Sequence, residues 1–303
     1  MARQKKKKIF IFTDIDLDGS MSYLLFRWFK NERIPVIATR VNDFRSSFLG
    51  WAKQNNPTTY DHIYILDLDT SQDSMDVVDL PNVVIIDHHD THAANKHKYK
   101  KAKTFIRRTP SCAKLIYDLL NKKSEVTLTD QQKHLMLLVD DYDSYELQLK
   151  GSHELNLLFW NYQGNKVTKF VSDFYDGFNG FTPQEEKIIN FYKKKISQTV
   201  NSLDMFEASI PISKKERKIV STFATTCIND VADYIIKTNK AEIGIVVNLQ
   251  SKKVSFRKDK TSDVDLSKIA KKLTDGGGHT FAAGGLVTNK FLAFTRLFRP
   301  VPK

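Results

Sequence analysis

Acidic and histidine side chains gather at four places along the chain, each directly after a short apolar run. Asp14, Asp16 and Asp18 follow Ile9-Phe10-Ile11-Phe12, and Asp67 and Asp69 follow Ile63 to Leu66. Asp87-His88-His89-Asp90 follows Val83 to Ile86, and Asp140, Asp141 and Asp143 follow Leu137-Leu138-Val139. Oxygen-rich ligand sets with one or two imidazoles suit manganese or magnesium better than zinc. Two such ions about 3.5–4 Å apart can activate an attacking water and clamp a phosphoryl oxygen during in-line displacement. The pair needs a shared carboxylate, and aspartates at the ends of separate strands supply one.

Taken singly, the clusters have other readings. The Asp14-to-Gly19 segment suggests a calcium loop, but no glutamate closes it, Phe26 standing twelve positions after Asp14. Asp67-Leu68-Asp69 alone reads as a turn or a helix cap. Asp87-His88-His89 behind an apolar strand is more specific, because structural roles seldom need three adjacent ionisable groups in a buried place. Near the other end of the chain, Gly276-Gly277-Gly278-His279 adds a second kind of site. Three glycines expose backbone N–H groups and can form an anion-binding concavity, with His279 as a further donor. Arg257, shortly before, can grip a phosphate with two parallel hydrogen bonds.

Alternating elements must position these groups. Residues 9–13, 36–40, 63–66 and 83–86 read as strands, separated by helical patterns such as 19–31, where Leu24, Leu25, Trp28 and Phe29 share a face. Continuous apolar strands spaced by helices predict an α/β fold with a mostly parallel sheet covered on both faces. Such sheets bind ligands beyond the carboxyl ends of their strands, where the first three clusters fall. Helices are predicted over 110–121 and 129–140, the latter running into the fourth cluster. A long polar helix from about Thr182 to Leu203, with Thr182 as cap and Pro183 in the first turn, reads as a connector. The domains expected are 1–180 (catalytic), 181–205 (connector) and 206–303, a smaller α/β substrate-binding domain. In the last, 241–249 and 253–257 form an antiparallel pair, followed by a helix over 266–273.

With 303 residues, 41% of them hydrophobic and 27% charged, the chain has the size and balance of a soluble two-domain protein. No apolar run is long enough for a membrane span, and the Arg3 and Lys5-to-Lys8 charges precede a run too short for a signal peptide. Two distant cysteines, Cys112 and Cys227, fit free thiols in a reducing, cytoplasmic setting. A net charge of +12 beside such acidic clusters means that basic residues concentrate elsewhere, which suits a polyanionic partner.

Together, the Asp87-His88-His89 signature, the DxDxDG opening at Asp14, the Asp67 strand end and the acidic fourth cluster resemble the DHH phosphoesterase superfamily. The Gly276–His279 segment, with Ala282-Ala283-Gly284 behind it and Val254 to Arg257 before it, resembles the DHH-associated substrate-binding domain. The resemblance covers about residues 8–290. It implies metal-dependent hydrolysis of phosphoesters, as in RecJ exonucleases, nano-RNases, adenosine-bisphosphate phosphatases and cyclic-dinucleotide phosphodiesterases. Carried onto this sequence, it implies that Asp16, aided by Asp14, binds one metal, that Asp18 and His88 bind a second, and that Asp67 bridges them. Asp141 is the expected ligand from the fourth cluster, with Asp140 and Asp143 as alternatives. His89 faces the scissile phosphate, Asp69 and Asp90 orient imidazoles, and His92 and His97 lie at the surface. Arg257, Gly276, Gly277, Gly278 and His279 bind substrate across a cleft.

The acidic opening resembles RecJ more than nano-RNases, Phe12 standing where the latter carry histidine, while the two-domain length is nano-RNase-like. The expected activity is manganese-dependent (magnesium the alternative) exonucleolytic hydrolysis of short single-stranded DNA or RNA from the 5′ end. Lys252, Lys253, Lys258, Lys260, Lys271 and Lys272 would track its backbone. The alternative is a phosphodiesterase or phosphatase for dinucleotides, cyclic dinucleotides or adenosine bisphosphate.

Overall fold

The structure, a computed structural model, describes residues 7–122 and 124–302. Arg3, Lys5 and Lys6, which the sequence reading placed in a basic run, lie outside these residues. The chain divides into two compact units, one ending at Ile189 and the other beginning at Asn190. Among the described residues no helix is long and apolar enough to cross a membrane.

In the first unit, β1 (Ile9–Thr13), α1 (Leu17–Lys30), β2 (Val36–Ala38), α2 (Val41–Gln54), β3 (His62–Leu66), α3 (Met75–Val78), β4 (Val83–Asp87), α4 (Asp90–Asn95) and β5 (Lys103–Ile106) alternate. The helices α5 (Cys112–Asn121), α6 (Asp130–Asp143), α7 (Ser152–Trp160), α8 (Lys166–Asp173) and α9 (Pro183–Asn201) follow. The five strands pair in parallel in the order β2-β1-β3-β4-β5. Side chains alternate across this sheet, so Ile9 and Ile11 enter a core with α1, α5 and α6, while Phe10 and Phe12 enter another with Phe44, Phe48 and Trp51 of α2. Both faces are covered, as predicted for continuous apolar strands. The order reverses at β1, whose neighbours β2 and β3 lie on opposite sides. That opens a crevice at the carboxyl ends of β1 and β3, where ligands bind in such sheets.

The fourth acidic cluster ends a helix and not a strand. Capped at both ends by the reciprocal Thr129–Gln132 pair at its start and Ser144 at its close, α6 extends to Asp143, three residues beyond the predicted end. The predicted connector is α9, and the division between the units falls within it.

The second unit contains β6 (Met205–Ile212), β7 (Lys215–Phe223), α10 (Ile228–Asn239), β8 (Ile243–Asn248), β9 (Lys253–Lys258), α11 (Leu266–Thr274), β10 (Gly277–Gly278), β11 (Ala282–Leu286), α12 (Asn289–Thr295) and β12 (Arg299–Pro300). They form a mixed sheet ordered β10-β11-β9-β8-β7-β6-β12, in which β8 and β9 are the antiparallel pair expected. Val254 and Phe256 pack with Leu266, Ala270 and Phe291 on one side. Val220 and Val246 pack with Val231, Ala232 and Ile235 of α10 on the other.

Candidate metal centre

At the exit of β1 the chain folds back on itself before α1 begins. Asp16 caps the helix, its Oδ1 accepting the Gly19 N–H at 2.9 Å. Thr13 Oγ1 donates to the Gly19 carbonyl at 2.7 Å. Glycine is required at 19, because a Cβ there would lie 2.5 Å from the Asp14 carbonyl oxygen and 2.8 Å from its carbon. The fold-back buries Asp18 in the first turn of α1 and aims its carboxylate at the start of α5. There Oδ2 accepts the Cys112 N–H at 2.7 Å and Oδ1 the Ala113 N–H at 2.8 Å. A helix N-terminus, with unsatisfied N–H groups and positive dipole end, is a natural holder for an anionic side chain.

From β3, Asp67 turns out of the strand at φ 58°, a left-handed conformation uncommon for a residue with a side chain. Its N–H bonds the Ile86 carbonyl at 3.0 Å, keeping it beside β4. From β4 comes His88, whose Nδ1 lies 3.2 Å from the Thr109 carbonyl oxygen. That carbonyl accepts an N–H, which assigns a proton to Nδ1 and turns Nε2 towards the acidic cluster. Around Nε2 stand Asp67 Oδ1 at 3.4 Å, Asp143 Oδ2 at 3.4 Å and Asp18 Oδ2 at 3.7 Å.

These distances bring four groups from four elements to one point. His88, Asp18 and Asp67 are each less than 5% exposed. Burial pushes the Asp18 carboxyl up to about 6, against the pull of His88. Burial, with Asp18 and Asp16 next, raises Asp67 well above the carboxylate range, and burial together with Asp18 does the same for Asp143. For His88, burial opposes the charged ring, but Asp67, Asp143 and Asp18 outweigh it and hold it well above its ordinary value. Asp67 Oδ1 is buried with no hydrogen-bond partner among the described residues, a costly state for a carboxylate oxygen. Asp18, His88 and Asp143 offer ligand atoms within 4.8 Å of one another, with Asp67 Oδ1 beside His88, a carboxylate-rich donor set with one imidazole that suits a divalent cation of the manganese or magnesium type.

Asp14 and Asp16 stand at the edge of this cluster. Asp14 Oδ1 accepts the Asp16 N–H at 3.2 Å. Burial and then Asp16 push the Asp14 carboxyl up to about 8, with His89 drawing it back. Asp141 is not part of the gathering. Its oxygens accept the Gln148 and Leu149 N–H groups at 2.9 and 3.1 Å, so it ties down the chain after α6. Asp143, on the last turn, is the residue beside His88.

His89 is held by Asp87, whose Oδ1 lies 2.7 Å from His89 Nδ1. Asp87 is fully buried, whereas the His89 ring is 32% exposed, so the imidazole reaches the surface of the site from an anchored base. Burial disfavours its charge, yet Asp87 raises it to about 9. His92, expected at the surface, is fully buried, its Nδ1 2.6 Å from Asp87 Oδ2. Sequence reasoning missed this because His92 sits in a polar stretch, THAANKHK, where only the position of Asp87 beneath it decides burial. Asp87 therefore does the orienting expected of Asp69 and Asp90. Asp69 accepts from Ser71 N, Ser71 Oγ and Thr91 Oγ1, joining the turn after β3 to α4. Asp90 pairs with Arg108.

In the second unit the glycine segment is more ordered than an open loop. Gly277 pairs with Gly284 and Gly278 with Ala283 in an antiparallel ladder. A Cβ at Gly276 would lie 1.9 Å from the Gly284 carbonyl oxygen, and Gly278 has φ 136°. Close strand approach thus accounts for these glycines without a ligand. His279 stacks on Phe281 at 5.3 Å, with its N–H bonded to the Ala282 carbonyl at 2.7 Å. Arg257, on β9, donates to Asn229 Oδ1 at 2.5 Å and to the Phe256 carbonyl at 2.9 Å.

Residues 8–139 match the DHH family, N-terminal domain. No curated protein matches the chain. Among solved structures, the chain is similar to the pGpG-specific phosphodiesterase PggH of Vibrio cholerae, with TM-score 0.56, 15% identity and 96% of each chain covered. It is similar to an exopolyphosphatase-related protein of Bacteroides fragilis, with TM-score 0.55, 14% identity, and 97% of this chain and 92% of that one covered. It is also similar to an exonuclease RecJ bound to manganese, with TM-score 0.56, 12% identity, and 96% and 88% covered. At these identities the likenesses establish the fold, which extends through both units. With Asp87-His88-His89 at the end of β4 and the match running from β1 into α6, residues 8–139 form a DHH family N-terminal domain.

Proposed function

We propose that this protein is a manganese- or magnesium-dependent phosphodiesterase that removes nucleoside monophosphates from the 5′ end of short single-stranded DNA or RNA. The observation that carries the reading is the buried, hydrogen-bond-free Oδ1 of Asp67, 3.4 Å from Nε2 of His88. Asp18, Asp67, His88 and Asp143 would hold one ion, with Asp143 in the place first given to Asp141. Asp14 and Asp16, with Asp67 shared, would hold the other. When bound, such ions lower the pKa of an attacking water and neutralise charge on the phosphoryl oxygens.

The remaining work falls to the chain's own groups. The α5 N-terminus fixes Asp18, and the Thr109 carbonyl fixes His88, so the ligand atoms are preorganised. His89, cationic and anchored on Asp87, stabilises charge on the leaving oxygen. Arg257, the Gly276–Gly278 segment and His279 are proposed to bind substrate, and the excess positive charge draws a polyanion to the surface.

The same fold serves a pGpG-specific phosphodiesterase and an exonuclease, so a dinucleotide or another small nucleotide is the second reading. A manganese-dependent time course separates them. End-labelled DNA and RNA of several lengths would run beside dinucleotides, cyclic dinucleotides and adenosine bisphosphate, with Asp67→Ala as blank. Stepwise release of mononucleotides from the longer strands is the expected outcome. Turnover confined to the small compounds would replace it with the second reading.

A further inference from the structure

We propose that His92 and Tyr99 are positioning residues that act through Asp87 to set the orientation of His89; the inference rests on the phosphodiesterase reading above. Asp87 has both carboxylate oxygens engaged by imidazole nitrogens, Oδ1 by His89 Nδ1 at 2.7 Å and Oδ2 by His92 Nδ1 at 2.6 Å. Beyond His92 the chain of contacts continues. Its Nε2 lies 2.8 Å from the Tyr99 hydroxyl, which lies 2.7 Å from Thr70 Oγ1. Asp87 and His92 are fully buried, Thr70 is 1% exposed and Tyr99 8%.

The donors and acceptors assign themselves along this chain. An ionised Asp87 only accepts, so both histidines donate from Nδ1. With Nδ1 donating to Asp87, His92 accepts at Nε2 from the Tyr99 hydroxyl, and Tyr99 accepts from Thr70. Every polar group in this run is satisfied in one direction, as a buried network requires. A carboxylate held on one oxygen rotates in a broad torsional well. A second short hydrogen bond on the other oxygen fixes its plane, and with it the direction in which the His89 ring points. The run also ends at Thr70, just past the Asp67 and Asp69 turn of β3, so it ties the β3 exit to the His89 ring on the β4 exit.

A packing role for His92 would affect all substrates alike, whereas orientation of His89 matters most when the leaving oxygen needs charge stabilisation. The test compares wild type with His92→Phe, His92→Asn and Tyr99→Phe in manganese. The substrates are a dinucleotide, whose leaving group is a poor alkoxide, and the p-nitrophenyl ester of a nucleotide, whose leaving group is a good phenolate. Asn retains a donor at the position of Nδ1. His92→Phe should lower kcat on the dinucleotide about ten- to a hundredfold, in the range for lost supporting hydrogen bonds. KM and turnover of the p-nitrophenyl ester should change by less than about threefold, and His92→Asn should recover most of the loss. Tyr99→Phe should give a smaller loss with the same substrate dependence.

A second readout needs no turnover. Ring N–H protons bonded to Asp87 appear as downfield proton resonances, assigned by their absence in His89→Gln and His92→Phe. The His89 resonance should shift in His92→Phe and return in His92→Asn. Equal losses on both substrates, no recovery with Asn, or an unmoved His89 resonance in a folded His92→Phe protein would each overturn the proposal. Should wild type hydrolyse neither substrate, the phosphodiesterase reading fails and the resonance alone decides the positioning role.

Discussion

Asp141 and Asp143 stand two residues apart at the end of α6 and direct their carboxylates to different tasks. Asp141 accepts two backbone N–H groups from Gln148 and Leu149, while Asp143 lies 3.4 Å from His88 Nε2. Asp141→Ala therefore strips two donors of their acceptor and should destabilise the fold by about 1–3 kcal/mol. Its manganese affinity, read by calorimetric titration, should stay within about threefold of wild type. Asp143→Asn should show the converse, a loss of about tenfold or more in affinity with little change in melting temperature. Equal affinity losses in the two variants would refute the division.

Like-charged ligands held together without a cation strain the fold, so stability and metal binding should trade places at Asp67. Burial, Asp18 and Asp16 all oppose its ionisation. Asp67→Asn replaces a buried carboxyl whose ionisation its neighbours oppose with a neutral amide, and should melt above wild type in chelator. In manganese the order should reverse, because a ligand at a hundred times its Kd adds about 2.7 kcal/mol to the state that binds it. Thermal melts of both proteins in chelator and in manganese check this. Parallel shifts with no crossing would mean that Asp67 holds no ion.

Much of this centre is legible in the sequence, because a parallel sheet sends its strand ends to one edge. Asp18, Asp67 and His88 follow from that rule and from short apolar runs. The fourth cluster is harder. Residues two apart on a helix point about 200° from one another, so the choice between Asp141 and Asp143 depends on where the helix lies and ends, which is a tertiary matter. The Gly276–Gly278 segment shows a different limit. A glycine that opens an anion nest and one that lets strands approach closely look the same in sequence, and only the 1.9 Å approach at Gly276 reveals the second use. Tyr99 carried no signal, since its role depends on a turn that brings it beneath His92.

Two glycines offer opposite outcomes for one substitution. At Gly19 a Cβ would meet the Asp14 backbone at 2.5 Å, with no flexible side chain to yield. Gly19→Ala should cost about 1–3 kcal/mol and weaken manganese binding, since it displaces Asp14 or Asp18. At Gly50, inside α2, a Cβ meets nothing within 4 Å. There Gly50→Ala should gain about 0.5–1 kcal/mol from helix propensity alone, with metal affinity unchanged. Denaturant melts of the pair measure both, and a stable, metal-binding Gly19→Ala would contradict the tight β1 exit.

Acid should expose a structural carboxylate remote from the metal ligands. Asp79 accepts the N–H groups of Lys100, Lys101 and Ala102 at 2.7–3.1 Å, closing the segment that leads into β5. Burial raises its pKa, but the three donors outweigh burial and hold the carboxyl below its ordinary value. A group depressed in the folded state contributes stability above its unfolded pKa of about 3.9, and loses it as pH falls through the lower folded value. Asp79→Asn should therefore be less stable than wild type by a constant amount from pH 7 to about 5, and the gap should close below about pH 4. Urea titrations of both proteins across this range provide the check. A gap that persists unchanged at low pH would show that the side chain's shape, and not its charge, secures the segment.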